Sequence, residues 1–264
     1  MQVLGVNAVF HDPAAAIVVD GATVAAAEEE RFTRRKHGKA PVAFSTWELP
    51  EQSARWCLEY AGIRPEDLDA VAYSYDPALA VPLNGDVTAH DWEGLRTLYA
   101  QRAPLFLRTA LPGLDPGRVR FVPHHVAHAA SAYLAAPFGD CAVMVLDGRG
   151  ERASYLAGHV REGRLQTLAV QELPHSLGLL YEDLTGFLGF RRSSDEYKVR
   201  ALAAYGRPRL LDRFREIVRV TDDGGFVVAP VDWAALRAEP EDLAASVQAR
   251  LQEVLVELAV WLHG

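Results

Sequence analysis

Cysteine is scarce in this sequence: only Cys57 and Cys141 occur among the 264 residues. The two lie far apart, and each stands in an apolar context. A cysteine in such surroundings is most often a buried thiol, and a disulfide framework would need more of them at closer spacing. We therefore predict two free thiols.

Long apolar runs are also absent. No stretch is long enough to span a bilayer, and the N-terminus lacks the basic segment and apolar core of a signal peptide. The first apolar stretch, residues 3–10, has the length of a strand. The sequence therefore predicts a cytoplasmic protein with no membrane partner.

An excess of basic residues is missing too. The formal net charge is −8, whereas a general nucleic-acid binder needs a basic surface to displace the counterions of the phosphate backbone. Low-complexity linkers and short-period repeats are absent as well. With 50% hydrophobic and 23% charged residues, the composition predicts one large or two modest globular domains and no nucleic-acid partner.

Apolar runs and turn residues predict two series of strands and helices. The first series has strands at residues 2–8, 14–19, 23–27, 68–75 and 119–122 and helices at 50–62, 92–111 and 123–135. The second has strands at 141–146, 153–159 and 165–173 and helices at 177–190, 197–205, 210–218 and 240–263. Pro50 and Gly62 suit the start and the end of the first long helix.

Three strands followed by helices therefore occur twice, around a Pro-Phe-Gly break at residues 137–139. This order predicts an α/β fold of the ribonuclease-H-like kind, in which two such halves form the actin/Hsp70/sugar-kinase architecture and ligands bind in a cleft. We predict a first half over residues 1–138 and the start of a second half over 139–264. Because the last helix has no strand to return to, we expect either a fragment or a partner that supplies the rest.

Two histidines one helical turn apart form the strongest local pattern. Pro123 suits a helix start, and His124 and His128 follow it at positions i and i+4 of one face, where two imidazoles can chelate one metal ion. His125 points about 100° away and is a poorer candidate. The pair alone is also compatible with ordinary hydrogen-bonded histidines at a half-buried helix start.

A third candidate ligand is Asp147. It follows the apolar run 142–146 and precedes Gly148, and an acid at the carboxyl end of a buried strand points to the place where phosphates or metals bind in this fold class. The alternative is a plain Asp-Gly turn. Two imidazole nitrogens and one carboxylate suit Fe, Mn or Zn better than magnesium alone.

Two further segments carry charge near predicted turns. His11-Asp12 follows the first strand and is either an acid/base pair or a simple turn. Residues 34–37 (Arg-Arg-Lys-His) form a candidate anion grip or a solvated loop paired with residues 28–30. Later in the chain, Asp195 precedes a small-residue helix and is placed to cap it, and Gly206 after that helix would allow another backbone or a ligand to approach closely.

These segments, in this order, resemble the O-carbamoyltransferase family of nodulation-factor and antibiotic-tailoring enzymes. The matching text runs from residues 3–7 through Phe-His-Asp (10–12), Ala-Glu-Glu-Glu-Arg-Phe-Thr (27–33), Lys-His-Gly (36–38), residues 124–133, Asp-Gly-Arg-Gly-Glu (147–151) and 176–178 to residues 195–199 and 203–206. Arg200 and Ala201, between the last two segments, depart from the family pattern. The matching text spans nearly the whole chain, so the combination is specific.

The resemblance implies an N-terminal actin-like ATPase-fold domain that transfers a carbamoyl group to a hydroxyl of a natural product or sugar. In such enzymes a separate C-terminal domain makes the donor, carbamoyl-adenylate, from carbamoyl phosphate and ATP with Mg²⁺. We expect that domain to be absent from this chain and to act in cis or as a partner chain, so that the chain alone is inactive.

By position, the resemblance makes His124, His128 and Asp147 metal ligands, with Fe²⁺ as the expected ion and Mn²⁺ or Zn²⁺ as alternatives. A further aspartate ligand of the family would lie beyond Gly264. His11 becomes the candidate base for the acceptor hydroxyl, and Lys36 supports the departing phosphate. Lys36 and Arg149 are the candidate cofactor-binding residues, and residues 76–91 are a candidate acceptor-side loop.

Two other hypotheses remain open. A non-catalytic actin-fold module that binds a nucleotide or a partner would keep the fold without the chemistry, although it would have no need of the three ligands. A sugar- or acetate-kinase-like phosphotransferase would share the fold but would use an acid-rich magnesium site rather than paired histidines.

Overall fold

The computed structural model describes residues 1–39, 46–80 and 92–264, so most of the candidate acceptor-side loop lies outside the described residues. The chain forms two compact units, Met1–Ala127 and His128–Gly264, and each has a hydrophobic core of its own. The division between the units falls inside a helix, after Ala127, whereas the sequence predicts a division after residue 138.

The first unit is built on a five-stranded sheet. Its strands are β1 (Gln2–Asn7), β2 (Ala14–Val19), β3 (Ala22–Glu28), β4 (Ala70–Tyr73) and β5 (Val119–Phe121). They lie in the order β3-β2-β1-β4-β5, with β2 antiparallel to both of its neighbours and with β4 and β5 parallel to β1. This order and these directions are those of a ribonuclease-H-like sheet, so the predicted α/β fold class is confirmed.

The register of β1 on β2 follows from side-chain alternation, and the register of β2 on β3 follows from the turn that joins them. Leu4 and Val6 on β1 are almost fully buried, as are Ala15 and Ile17 on β2, because alternate side chains of a strand face the same side. The Asp20-Gly21 turn has positive φ at both residues (50° and 84°), the conformation that a two-residue hairpin requires. The predicted hairpin is confirmed.

The helices of this part of the chain are α1 (Glu30–Thr33), α2 (Glu51–Ala61), α3 (Trp92–Ala110) and α4 (His124–Ala135), which crosses into the second unit. Helix α2 ends at Gly62, whose φ is 67° and whose N–H donates to the last turn, as predicted. Its start is held by a residue that the sequence did not indicate: the buried Glu29 carboxylate accepts from the backbone N–H groups of Gln52 (3.1 Å) and Ser53 (2.8 Å).

Both cysteines are free thiols. Cys57 on α2 is buried, and this burial raises the pKa of its thiol.

The second unit begins with a three-stranded antiparallel meander of β6 (Cys141–Leu146), β7 (Ala153–Arg161) and β8 (Arg164–Glu172). It continues with α5 (Leu177–Phe187), α6 (Glu196–Ala203), α7 (Leu211–Ile217), β9 (Val218–Val220), β10 (Phe226–Val228) and α8 (Pro240–His263). The β9–β10 hairpin is absent from the prediction, which extended α7 through Val218. Gly224, with φ of 78°, belongs to the Asp-Asp-Gly-Gly turn that closes this hairpin.

Helix α8 packs through one stripe of its surface. Leu243, Val247, Val254 and Leu258 are buried at helical spacing. Arg250 lies in the same stripe and is also buried; it donates to the Val218 carbonyl (3.0 Å) and pairs with acidic residues one and two turns further along α8. The buried guanidinium is therefore hydrogen-bonded rather than merely desolvated. Within the described residues, no helix is both long and apolar enough to cross a membrane.

The close approach predicted for Gly206 is present. A Cβ at Gly206 would overlap the carbonyl oxygen of Glu241 in the first turn of α8, so only glycine fits between the end of α6 and α8. The predicted capping role of Asp195 is wrong in detail. Its carboxylate makes no cap bond to α6 and instead accepts from the Arg191 N–H (3.2 Å) and pairs with Lys198 (2.9 Å).

Gly206→Ala should destabilise the protein by about 1–3 kcal/mol, because backbone on both sides must move to admit the methyl group. Chemical denaturation measured by circular dichroism checks this. Gly139→Ala is the matched control, since a Cβ there meets no atom within 4 Å, and it should change stability by less than about 0.5 kcal/mol. Equal effects of the two substitutions would contradict the packing argument.

Candidate functional site

Helix α4 carries His124 and His128 one turn apart. Pro123 precedes the helix and accepts from the Ala127 N–H (2.9 Å), so the first turn is already closed at His124. Side chains at i and i+4 of a helix lie on one face. The helix is continuous through both histidines, so their spacing is a property of α4 itself.

His124 has a defined tautomer. It is buried, and its Nδ1 lies 3.0 Å from the backbone carbonyl oxygen of Ser74. A carbonyl can only accept, so Nδ1 carries the proton and Nε2 carries the lone pair. The Phe10 ring meets the imidazole edge-on, with centroids 5.0 Å apart. Metal-binding histidines usually have this arrangement, with one nitrogen donating to a carbonyl or carboxylate and the other facing the ion.

Asp147 stands at the end of β6, where a tight turn holds its carboxylate. The Gly148 N–H donates to Asp147 Oδ1 (2.6 Å), and the Ser176 hydroxyl donates to the Gly148 carbonyl (2.7 Å). A Cβ on Gly178, at the start of α5, would lie 2.6 Å from the Gly148 Cα, so the turn and the helix touch through two glycines. The plain-turn and ligand interpretations of Asp147 are therefore compatible.

The second oxygen of Asp147 faces His128. Asp147 Oδ2 lies 3.5 Å from His128 Nε2, and one ligand atom from each of His124, His128 and Asp147 lies within 4.8 Å of the others. Two ligand atoms that each bind one zinc-sized ion at about 2.1 Å in tetrahedral geometry are about 3.4 Å apart. The donor set and the spacing therefore fit a divalent transition metal. His125 is buried but is not part of this group.

A second cluster lies after the end of β1. The Asp12 carboxylate lies 2.7 Å from His11 Nδ1 through one oxygen and 3.0 Å from His37 Nδ1 through the other. The hydrogen bond from His11, assisted by the one from His37, lowers the pKa of Asp12 to about 2. Asp12 also has a φ of 48°, which non-glycine residues adopt mainly in turns. The segment is thus both a turn and a candidate acid/base pair.

In the basic run at residues 34–37, Arg35 pairs with Glu48 (3.3 Å), and Glu48 lies outside the acidic residues 28–30 that the solvated-loop interpretation names. From that acidic stretch, Glu30 accepts from the backbone N–H of His37 (2.8 Å). Lys36 is exposed and starts a short 3₁₀ turn, Lys36–Gly38. In the second unit, the half-buried Arg149 lies 3.4 Å from Glu182. The predicted anion-binding roles of Lys36 and Arg149 remain predictions.

The family described as Carbamoyltransferase N-terminus matches residues 2–82 and 108–230, more than three quarters of the chain. The chain belongs to this carbamoyltransferase family. The predicted resemblance is confirmed, and the family match includes the turn at His11-Asp12, both candidate histidines of α4 and Asp147.

Two relatives of this carbamoyltransferase chain cover almost all of it. The uncharacterised protein sll1178 of Synechocystis sp. is 33% identical over 299 residues, covering 97% of this chain and 47% of the relative. The nodulation protein NolNO of Sinorhizobium fredii is 32% identical over 279 residues, covering 94% of this chain and 38% of the relative. The chain therefore spans less than half the length of these relatives.

Among solved structures, the activator of the 2-hydroxyisocaproyl-CoA dehydratase from Clostridium difficile is similar to this carbamoyltransferase chain with a TM-score of 0.46. The two are 11% identical, and the similarity covers 98% of this chain and 75% of that one.

Lys39 is a residue of this carbamoyltransferase chain that the sequence patterns did not single out. Its side chain is 4% exposed, and its Nζ donates to the carbonyl of Ala8, just past the end of β1. Burial lowers the pKa of the amine to about 7, against the opposing pull of Glu48. In the sequence, Lys39 is one more basic residue near Lys36. Its burial cannot be predicted locally, because it depends on contact with Ala8, which lies 31 residues away in the chain.

The buried amine should make stability depend on pH. Its pKa is near 10.5 in the unfolded chain and about 7 in the folded one, so between these values only the unfolded state holds the proton. Stability should therefore rise as pH increases from 7 to 10.5. Lys39→Met removes this dependence, and its stabilising effect should be largest near pH 7 and shrink towards pH 10.

Urea denaturation at several pH values measures the effect. Lys36→Met, the same change at an exposed lysine three residues away, should leave the pH profile of the wild type unchanged. A Lys39→Met profile that runs parallel to the wild type across this window would show that Lys39 keeps an ordinary pKa.

Proposed function

We propose that this chain binds a divalent transition metal through His124, His128 and Asp147 and uses the site to transfer a carbamoyl group to a hydroxyl. The observation that carries the proposal is the fixed tautomer of His124 together with the 3.5 Å approach of Asp147 Oδ2 to His128 Nε2, in a chain of the carbamoyltransferase family. Fe²⁺ is the proposed ion, with Mn²⁺ and Zn²⁺ as alternatives for the same donor set.

The bound metal would supply a Lewis acid for the carbamoyl carbonyl and the donor phosphate. The protein residues hold it in place. The Ser74 carbonyl keeps the proton of His124 on Nδ1, and the Gly148 N–H orients the Asp147 carboxylate by binding its other oxygen. Two of the three ligands, His124 and Asp147, are thus held by a backbone group, which limits the rotational freedom that they lose when the ion binds.

His11 is the proposed base for the acceptor hydroxyl. Asp12 is ionised at neutral pH because its pKa is about 2, so it accepts the Nδ1 proton of His11 and leaves the lone pair on Nε2. When Nε2 takes the proton of the hydroxyl, the carboxylate stabilises the imidazolium that forms. The His11 ring is more than half exposed, as a group that meets an incoming acceptor must be.

The remaining polar residues are proposed to bind the donor. Exposed Lys36 would offset the charge on the departing phosphate. Arg149, which Glu182 holds at 3.4 Å, would contact the nucleotide phosphate, since a guanidinium donates to two phosphate oxygens at once. The two residues belong to different units, so each role is proposed separately.

The proposed donor is carbamoyl-adenylate, made from carbamoyl phosphate and ATP with Mg²⁺ by a C-terminal domain that acts in cis or as a partner chain. The proposed acceptor is a small hydroxylated natural product or sugar. The coverage of relatives supports a second active region, since this chain spans 47% and 38% of two of them. On this proposal the chain alone does not turn over.

Wild-type protein should hold about one Mn²⁺ or Fe²⁺ per chain, and His124→Ala or Asp147→Asn should weaken binding by at least about 100-fold, since changes in residues that merely support ligands already cost about 10–100-fold. Anaerobic titration calorimetry and elemental analysis measure this. His263→Ala, at the exposed end of α8, is the matched control and should bind as the wild type. Metal binding that survives both ligand changes would exclude the site.

Carbamoyl transfer is tested with isotopically labelled carbamoyl phosphate, ATP, a panel of hydroxylated acceptors and a separately supplied carbamoyl-adenylate-forming domain. Label should reach an acceptor only when that domain is present, and His11→Asn should slow the transfer about 100-fold or more. Robust turnover by this chain alone would contradict the proposal that a separate domain makes the carbamoyl-adenylate. Metal binding without any transfer would favour the non-catalytic module.

A further inference from the structure

Asn7 is the last residue of β1 and faces the first residue after β4. Parallel pairing aligns Val6 with Tyr73, and the Ser74 N–H donates to the Val6 carbonyl (3.1 Å). The backbone register of the two strands therefore makes Asn7 and Ser74 neighbours. The next residues after β1 lead into the His11-Asp12 turn.

The side-chain carboxamide of Asn7 makes three hydrogen bonds. Its Nδ2 donates to the backbone carbonyls of His11 (3.2 Å) and Asp12 (3.0 Å), and its Oδ1 accepts from the Ser74 hydroxyl (3.0 Å). Two carbonyls can only accept, so the nitrogen must face them and the orientation of the amide is unambiguous. No other side-chain type of this size offers two donors and an acceptor in one plane.

One end of this network is the candidate acid/base pair. The two carbonyls that Asn7 holds belong to the turn in which Asp12 has a φ of 48°, a conformation that costs energy unless its surroundings enforce it. The same turn sets the Asp12 carboxylate against the imidazoles of His11 and His37. Asn7 therefore holds the backbone from which both contacts are made.

The other end is a candidate metal ligand. Ser74 donates its hydroxyl to Asn7, and its carbonyl accepts the Nδ1 proton of His124 at 3.0 Å. A rotation of the Ser74 peptide would release the ring of His124 and change which nitrogen carries the lone pair. Ser74 therefore links Asn7 to the ring of His124 through two hydrogen bonds.

We propose that Asn7 is a positioning residue that orients both the His11–Asp12 pair and the metal ligand His124, because one carboxamide bonds to the turn of the first and to the serine that holds the second. The proposal rests on the proposed metal site and adds to it a coupling between two groups of the same unit. Asn7 is not one of the three proposed metal ligands.

Asn7→Asp and Ser74→Ala test the two arms. Asn7→Asp keeps the shape but turns an oxygen towards the two carbonyls, and Ser74→Ala removes only the hydroxyl while its carbonyl remains. Both should weaken Mn²⁺ binding about 10–100-fold, measured by titration calorimetry on the folded protein. Ser74→Thr keeps a hydroxyl and should restore most of the affinity.

Ser131→Ala is the matched control. It also removes a hydroxyl that donates to a backbone carbonyl, that of His128 (2.8 Å), at an exposed position of α4. It should leave Mn²⁺ affinity within about twofold of the wild type, since surface substitutions away from special features change little.

A second readout needs no metal. Nuclear magnetic resonance of the metal-free protein follows the titration of His11 and His37 and the tautomer of His124. Asn7→Asp should alter both histidine titrations and mix the tautomers of His124, whereas a purely structural role would lower the unfolding midpoint and leave these signals in place.

The outcomes separate the two proposals. If the folded Asn7→Asp protein binds Mn²⁺ as tightly as the wild type and its histidine signals are unchanged, the coupling role of Asn7 is wrong. If wild-type protein binds no Mn²⁺, Fe²⁺ or Zn²⁺, the proposed metal site fails. The coupling is then decided by the metal-free spectra alone, where unaltered histidine signals in Asn7→Asp overturn it.

Discussion

Backbone hydrogen bonds between β1 and β4 hold two parallel strands in the register that aligns Val6 with Tyr73. Parallel strands end on the same edge of a sheet, so the residues that follow them meet there. Asn7 and Ser74 are brought together in this way, and from them extend the His11-Asp12 turn and the carbonyl that orients His124. A slip of β4 by one residue against β1 would turn the Ser74 side chain to the opposite face, away from Asn7.

Two ionisable groups near the end of β1 respond to their surroundings in different ways. Asp12 stays accessible and gains hydrogen bonds from two imidazoles, so its charged form is favoured and its pKa falls to about 2. Lys39 is buried against the Ala8 carbonyl, so its charged form is disfavoured and its pKa falls to about 7. Hydrogen bonding dominates the first shift and desolvation dominates the second, although both groups lie near the end of β1.

In the second unit, Asp147 lies directly after the end of β6, in a turn that contains Gly148. Gly178 lies so close to the backbone of Gly148 that it has no room for a side chain, and Ser176 both caps α5 and donates to the Gly148 carbonyl. The carboxylate is thus set by a turn that is itself packed against a helix start. A ligand held on rigid elements needs less reorganisation when the ion binds.

Local patterns in the sequence were sufficient for most elements and for the three candidate ligands. Continuous apolar runs located β2 and β6, helical spacing located α2 and α8, and the i, i+4 spacing after Pro123 placed His124 and His128 on one face. These features depend on neighbours in the chain, and their signals survive in the sequence.

What the sequence determined by itself was therefore the α/β order, the family and the residue types of the site. Tertiary structure alone decided the roles of Asn7, Glu29, Ser74 and Lys39, because each depends on a partner that lies far away in the chain or on the pairing of two strands. The β9–β10 hairpin also depends on the pairing of two strands. The partners of Asp195, by contrast, lie within four residues of it, so its bonding is decided by the local geometry of the turn. For the other features, hydrogen-bond partners and burial arise only when distant segments pack, since no local periodicity records them.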